Sequence, residues 1–215
     1  MLISSLNAHS FFDTLIVILG PDKGTTNIKK VDDTVCLTNE DNQVIGYNFF
    51  NISTYTDIDP NQNGQVFLTK HNIDQLNKKL IESNFDANLT VDDQPKIVYG
   101  FVETCEPHPD SDHMNVTTID AGQLGKHQIV CGAPNIAQGQ KVVVALPGAM
   151  MPNGQLIWPG KLRGIDSSGM ICSAKELGLK HAPTARGILV MPDKTVAGDA
   201  FKSNEVDELL ANGVI

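Results

Sequence analysis

Glycine and proline punctuate residues 129–179 more densely than any other part of the chain, and this spacing restricts the fold more than any other feature. Short apolar runs at 129–131, 142–146 and 170–172 alternate with these residues. Because Gly and Pro set the backbone for tight turns, the pattern predicts closely spaced strands joined by short loops. We expect the strands to curl into a small β-barrel, with one face used for its own core and the other face and the loops free for a ligand.

The side chains expected near that free face are basic and polar. Within fifteen positions the segment carries Lys161, Arg163, Ser167, Met170, Ser173 and Lys175. Cations near phosphates displace counterions and give an affinity that does not depend on base sequence. No nucleophile stands in a recognisable arrangement with a base, so the pattern favours binding and predicts no catalytic residue.

The charge of the chain is unevenly distributed. A formal net charge of −9 by itself argues against a polyanionic partner. Residues 1–94 carry 6 basic and 13 acidic side chains, residues 95–192 carry 8 and 7, and residues 193–215 carry 2 and 5. Nearly all the excess acid therefore lies outside the candidate binding module, which stays compatible with a phosphate ligand.

Four motifs in the second half of the chain resemble those of one family of binding modules. They are HPDSDHMNV at 108–116, IVCGAPN at 129–135, VALPGAMMP at 144–152 and LRGIDSSGMICSAKELGL at 162–179. They resemble the oligonucleotide-binding (OB) fold tRNA-binding module of the bacterial phenylalanyl-tRNA synthetase β subunit, of many methionyl-tRNA synthetase C-termini and of the endothelial-monocyte-activating-polypeptide group. The resemblance implies an OB-fold β-barrel that binds tRNA without a cofactor or a metal.

The resemblance also implies roles for single residues. Ser167 and Met170 match the S-x-x-M positions where relatives contact tRNA: Ser167 would hydrogen-bond a 2′-hydroxyl or phosphate, and Met170 would pack on an unstacked base or else fill the core. Asn135 is a candidate base or phosphate contact. The usual HPxADKL motif reads HPDSDHM here, so His113 replaces a lysine and makes an RNA contact at this position pH-dependent. Trp158 is either a base-stacking platform or a packed strand residue.

The first ninety residues predict a small antiparallel sheet. Strands are expected at 2–6, 14–19, 35–38 and 44–52, and the polar segment 22–34 is expected to be a loop. The string GYNFFNIS at 46–53 resembles the N-terminal extension of free-standing YtpR-type tRNA-binding proteins, and this resemblance implies no chemistry for the module.

A helix is predicted over residues 70–84, with Thr69 as its cap. Its apolar stripe consists of Ile73, Leu76, Leu80 and Ile81, and that stripe should pack on the sheet. The fold class expected for the whole chain is mainly β with α+β. Three parts are predicted: an N-terminal α+β module of unknown role (1–92), an OB-fold tRNA-binding domain (93–200) and an acidic C-terminal tail (201–215).

Further elements are expected in the second half of the chain. The predicted barrel strands are 96–105, 114–119, 128–131, 140–145 and a closing segment at 188–190. The string SAKELGL predicts a short helix with Ser173 as cap and Gly178 as its end, and a second short helix is expected in the tail from Asn204.

Two other functions can be written from the residues. His108, Asp110, Asp112 and His113 form a compact cluster that a metal could use, although turn formation is the simpler explanation. Cys131 before Gly132 resembles a nucleophile loop, which would make the protein a hydrolase; the absence of a cysteine-protease signature favours a buried thiol.

The expected partners follow from tRNA binding. They are tRNA, an aminoacyl-tRNA synthetase or another translation factor, and a second copy of the chain as a homodimer; a protein adaptor within the translation machinery is the alternative function. With 41% apolar and 19% charged residues, and no apolar run of membrane-spanning length, the composition predicts a cytoplasmic protein without a membrane partner.

Overall fold

The chain forms two compact units in a computed structural model that describes residues 1–24 and 26–215. Unit 1 comprises Met1–Gln94 and unit 2 comprises Pro95–Ile215. Both are built mainly from antiparallel β-strands, and among the described residues each contains one α-helix. No described helix has the length and apolar character that a membrane span requires.

Unit 1 is a six-stranded sheet with a helix packed on it. The strands are β1 (Ile3–Asn7), β2 (Thr14–Ile18), β3 (Asn27–Val31), β4 (Thr34–Thr38), β5 (Val44–Phe50) and β6 (Asn63–Gln65), in the spatial order β3-β4-β5-β2-β1-β6. Helix α1 (Lys70–Glu82) begins with a capping box: Thr69 Oγ1 accepts from the Asn72 N–H, and the Thr69 N–H donates to Asn72 Oδ1. The core shared by sheet and helix includes Leu15, Val17, Tyr47, Phe49, Ile73, Leu76 and Leu80.

Two expectations for unit 1 are corrected by the structure. Strand β3 lies inside the segment 22–34 that was expected to be a loop; position 25 of that segment lies outside the described residues. β3 is a mostly exposed edge strand, so it lacks the apolar alternation that reveals a strand. Ile81 is 65% exposed, because it follows Leu80 by about 100° of helix rotation and leaves the buried stripe.

Unit 2 is built on a six-stranded sheet, with a two-stranded hairpin beside it. Its elements are β7 (Ile97–Pro107), β8 (Asn115–Asp120), β9 (Lys126–Cys131), β10 (Lys141–Ala145), β11 (Gly160–Leu162), β12 (Ile165–Ser167), β13 (Met170–Ile171), β14 (Val190–Met191) and α2 (Ser203–Ala211). Strand β10 is buried on both faces: Val142 and Val144 enter one apolar cluster, and Val143 and Ala145 enter the other. The buried, β-branched run explains why this strand shows no polar alternation.

The predicted closed barrel is not formed within the part of the chain that the structure describes. The main sheet has the order β13-β10-β7-β8-β9, which leaves β13 and β9 as its ends. The segment expected to close the barrel, β14, pairs with β10 instead. Beside β9 lies the short hairpin β11-β12, joined to it by the bonds Ser168 N–H to Gln128 O (2.8 Å) and Val130 N–H to Ser167 Oγ (3.1 Å).

Two further segments of unit 2 differ from expectation. Residues 173–178 form a single turn and no helix, in which the Ser173 N–H donates to Glu176 Oε2 at 2.7 Å and Gly178 adopts φ +68°. Residues 201–215, expected as a separate tail, belong to unit 2, because α2 buries Val206 in the same cluster as Leu189.

Candidate nucleic-acid interface

A groove of about 600 Å³ opens in unit 2. Its lining residues are drawn from the segments 130–134, 155–162, 167–176 and 183–188. The first segment is the end of β9 with the loop after it, and the second is the approach to β11 with that strand itself. The third runs from the end of β12 through β13 to the turn that follows, and the fourth is part of the connection that leads to β14. The groove therefore lies where the sheet is left open between β9 and β13.

The groove has an apolar part. Trp158 and Met170 line it and are half-buried, so each packs on its neighbours and still presents surface to the groove. Met170 also packs against the core cluster that contains Cys172. The position of Met170 is thus compatible with both of its predicted roles, core filling and a ligand contact.

Three cations line the groove: Lys161, Lys175 and Arg186. Lys161 is 67% exposed, and its Nζ lies 3.3 Å from Asp166 Oδ1; such an exposed pair contributes little and can open for a ligand. Lys175 Nζ donates to the Thr184 carbonyl at 3.1 Å, which leaves two of its three donors for another acceptor. Within residues 1–24 and 26–215, no hydrogen bond or ion pair engages the exposed Arg186 guanidinium.

Arg186 was missed by the sequence analysis. It lies in a loop outside the four recognised motifs, and its position in the groove depends on how residues 180–188, the groove loop, fold back towards β9. The only available signal was a cation directly before Gly187 in a Pro- and Gly-containing loop.

The two predicted serines line the groove, but their hydroxyls already have partners. Ser167 is only 7% exposed, and its Oγ accepts from the Val130 N–H at 3.1 Å. Ser173 Oγ donates to Glu176 Oε2 at 2.7 Å. Both side chains therefore shape the groove, whatever further contact they make.

Asn135, another predicted contact, connects two loops. Its Nδ2 donates to the Ile188 carbonyl at 3.0 Å, and its Oδ1 accepts from the Ile188 N–H at 2.9 Å. Gly187 makes this approach sterically possible, since a Cβ there would lie 2.7 Å from Asn135 Oδ1. The amide thus fixes the end of the groove loop, and Asn135 is not among the residues that line the groove.

Arg163 and His113 also lie outside the groove lining. Arg163 is in the turn of the β11-β12 hairpin with φ +45°, and its Nη1 donates to the Asp110 carbonyl at 2.8 Å. The His113 Nδ1 lies 2.7 Å from Asp112 Oδ1 at the protein surface. This hydrogen bond is the main reason why the pKa of Asp112 is lowered.

The His/Asp cluster forms a turn that is attached to the same hairpin. His108 is 3% exposed; its Nδ1 accepts from the Asp110 N–H at 3.0 Å, so the ring carries its proton on Nε2, which lies 3.2 Å from the Leu162 carbonyl. In the described part of the chain, no group of three or more His, Cys, Asp or Glu side chains is arranged to hold a metal. The turn and the hairpin therefore support each other.

The cysteines are buried or half-buried free thiols. Burial raises the pKa of the Cys131 thiol, and it raises that of Cys172 to about 12. A thiol held in its protonated form is a poor nucleophile. Cys131 lines the groove as a buried residue with 7% exposure.

Comparison with known proteins gives the family. Residues 97–200 match the family described as "Putative tRNA binding domain", and residues 21–92 match "Domain of unknown function (DUF4479)". The "Putative tRNA-binding protein YtpR" of Bacillus subtilis (strain 168) is 44% identical over 198 residues, which are 91% of this chain and 97% of that protein. The chain belongs to the YtpR family. The family membership agrees with the resemblance found in the sequence.

Parts of longer proteins are also similar. The phenylalanine–tRNA ligase beta subunit of Oceanobacillus iheyensis is 46% identical over 144 residues, 64% of this chain and 17% of that subunit. The corresponding subunit of Lactiplantibacillus plantarum is 49% identical over 108 residues, 48% of this chain and 13% of that subunit. The chain thus spans less than a fifth of these subunits. Among solved structures, a MetRS related protein from Pyrococcus horikoshii aligns with a TM-score of 0.37 and 16% identity, over 49% of this chain and 88% of that one.

Proposed function

We propose that unit 2 binds tRNA, or RNA of similar structure, and does so without catalysis. The observation that carries this proposal is the groove itself, which is lined both by the exposed Lys161, Lys175 and Arg186 and by the half-buried Trp158 and Met170. Membership of a family whose Bacillus subtilis member is described as a putative tRNA-binding protein supports tRNA as the ligand.

The chemistry of the groove suits an unpaired nucleotide. Cations bind phosphates without regard to sequence, and an apolar surface with an aromatic ring accepts the face of any base. A volume of about 600 Å³ is within the usual range of small-ligand sites and is enough for one splayed nucleotide. We therefore place the phosphates near Arg186 and Lys175, and the base near Trp158 and Met170.

The finer features are proposals of the same kind. We propose that unit 2 is an OB-fold barrel left open between β9 and β13, and that unit 1 is an α+β module whose role is separate from the groove. A cytoplasmic location, a synthetase or translation factor as partner, and a homodimer would each be consistent with a tRNA-binding protein.

The test is a titration of labelled tRNA with the full chain at several KCl concentrations, in which binding is measured by fluorescence anisotropy. Arg186→Ala should weaken binding and reduce the slope of log K against log salt by about 0.7 to 0.9, the loss of one phosphate contact. Lys126→Ala is the matched control, because Lys126 pairs with Glu103 at 2.7 Å and is not among the residues that line the groove. Absence of tRNA binding by the wild type, or equal loss in both variants, would refute the proposal. A protein partner that binds unchanged at high salt, without RNA, would favour the adaptor function.

A further inference from the structure

The C-terminal helix lies beyond the residues that match the tRNA-binding domain. The match ends at residue 200, whereas α2 spans Ser203–Ala211. Val206 is 1% exposed, and Leu209 and Leu210 pack against the same cluster. This apolar contact fixes the position of α2 on unit 2.

Asp207 extends from α2 to the start of the groove loop. Its Oδ1 accepts from the His181 N–H at 2.9 Å, and its Oδ2 lies 3.0 Å from His181 Nδ1. The side chain of Asp207 is 18% exposed. The hydrogen bond from the His181 backbone N–H is the largest cause of the lowered pKa of this carboxyl group.

The groove loop is held at three points. Asp207 holds its beginning at His181, Lys175 holds its middle through the Thr184 carbonyl, and Asn135 holds its end at Ile188. Arg186, whose guanidinium makes no hydrogen bond or ion pair among the described residues, lies between the second and third points. A loop backbone that is held at its beginning, its middle and its end presents such a side chain to a ligand at lower entropic cost than a loop that has lost one of these points.

We propose that Asp207 is a positioning residue for RNA binding, which acts by fixing the groove loop and thereby Arg186. The proposal rests on RNA binding by the groove. Removing an acidic side chain should ordinarily increase the affinity for a polyanion, and the proposal predicts the opposite change. Here, removing Asp207 weakens the binding.

The experiment compares Asp207→Ala with Glu208→Ala in the full chain, using labelled tRNA. Both variants lose one negative charge from α2, but Glu208 is exposed, and among the described residues its carboxylate makes no hydrogen bond or ion pair. We expect Asp207→Ala to weaken binding by roughly threefold to tenfold, and Glu208→Ala to leave it unchanged or slightly tighter. Equal affinities of the two variants would overturn the proposal.

A second comparison separates positioning from general loss of stability. In an Arg186→Ala background, Asp207→Ala should cause little additional loss, because the residue through which it acts is gone. If Asp207→Ala weakens both backgrounds by the same factor, its role is not exerted through Arg186 and the proposal is refuted. Should Asp207→Ala unfold the protein, His181→Ala tests the same link, because it removes only the side-chain bond; it should weaken binding in the wild-type background alone, and any other pattern refutes the proposal.

Amide hydrogen exchange by NMR gives a readout without RNA. In Asp207→Ala the His181 amide should exchange faster, while the Ile188 amide, bonded to Asn135, should keep its protection. Unchanged exchange at His181 would contradict the role of Asp207 in the loop. If the wild type binds no tRNA, the proposed function fails; if Arg186→Ala weakens binding but Asp207→Ala behaves like Glu208→Ala, only the positioning role fails.

Discussion

Replacing Asn135 with alanine is expected to destabilise unit 2 while leaving the charges of the groove intact. The substitution removes both hydrogen bonds to Ile188, at 3.0 and 2.9 Å, and Ile188 is only 7% exposed. Two such bonds contribute about 1 kcal/mol each, and a buried N–H without a partner costs a further ~1 kcal/mol or more. We therefore expect the free energy of unfolding of unit 2 to fall by about 3 kcal/mol.

Urea unfolding measures this loss, and the chain contains its own reporter. Trp158 is the only tryptophan and belongs to unit 2, so its fluorescence follows that unit alone. With a slope of roughly 1 to 3 kcal/mol per molar urea, the midpoint should fall by about 1 to 3 M. The control is Gln138→Ala, which removes one exposed amide bond to the Glu103 carbonyl and should shift the midpoint much less. A variant at Asn135 that keeps its midpoint but loses RNA affinity would show that the amide is an RNA contact, as its sequence motif suggested.

Three other outcomes are expected. Lys175→Ala should weaken the binding of many tRNAs alike and flatten its salt dependence. Arg163→Ala should have a smaller effect, because the Arg163 guanidinium already donates to the Asp110 carbonyl. Identical salt slopes in both variants and in the wild type would show that neither residue contacts phosphate. His113 should contribute little to RNA affinity, because the Asp112 carboxylate lies 2.7 Å from its Nδ1 and offsets a positive charge on the ring; titrations of wild type and His113→Gln at about pH 7.5 and 6 should therefore agree, and tighter binding at pH 6 that is confined to the wild type would refute this. In gel shifts with fragments whose folding is first confirmed by circular dichroism, residues 95–215 should bind tRNA and residues 1–94 should not, since the groove lies in unit 2; the opposite result would move the function to unit 1.

Much of the fold could be predicted from local sequence patterns. The helix after Thr69 was predictable because its cap and its apolar spacing are both local, and strands β7 to β10 show either alternation or a bounded apolar run. The short hairpin β11-β12 shows neither pattern and was not predicted. Strand β3 was not predictable because it is an exposed edge strand without apolar alternation, although it pairs with the next strand along the chain. The failure to close a barrel was not predictable because it depends on pairing between distant segments. The sequence of a strand does not show which other strand its backbone N–H and C=O groups will pair with.

The candidate site divides in the same way. Residue type predicted Lys161, Met170 and Lys175, which the structure brings together in the groove, although their contact with RNA stays a prediction. The bonds that occupy Asn135 and Arg163 join residues 53 positions apart, and such commitments cannot be read from a motif. Arg186 was overlooked because it lies in a loop without a recognised motif, and only the folded chain shows that this loop lines the groove.

The folding unit extends beyond the matched domain, because residues of α2 and of its flanking segments pack on the core of unit 2. Phe201, Leu209, Leu210 and Ile215 all pack on the core that contains Tyr99 and Val143, yet all lie beyond residue 200. A fragment cut where the match ends would expose that apolar face to water and become prone to aggregate. Wherever this domain stands without such a helix, some other surface must cover the same strands.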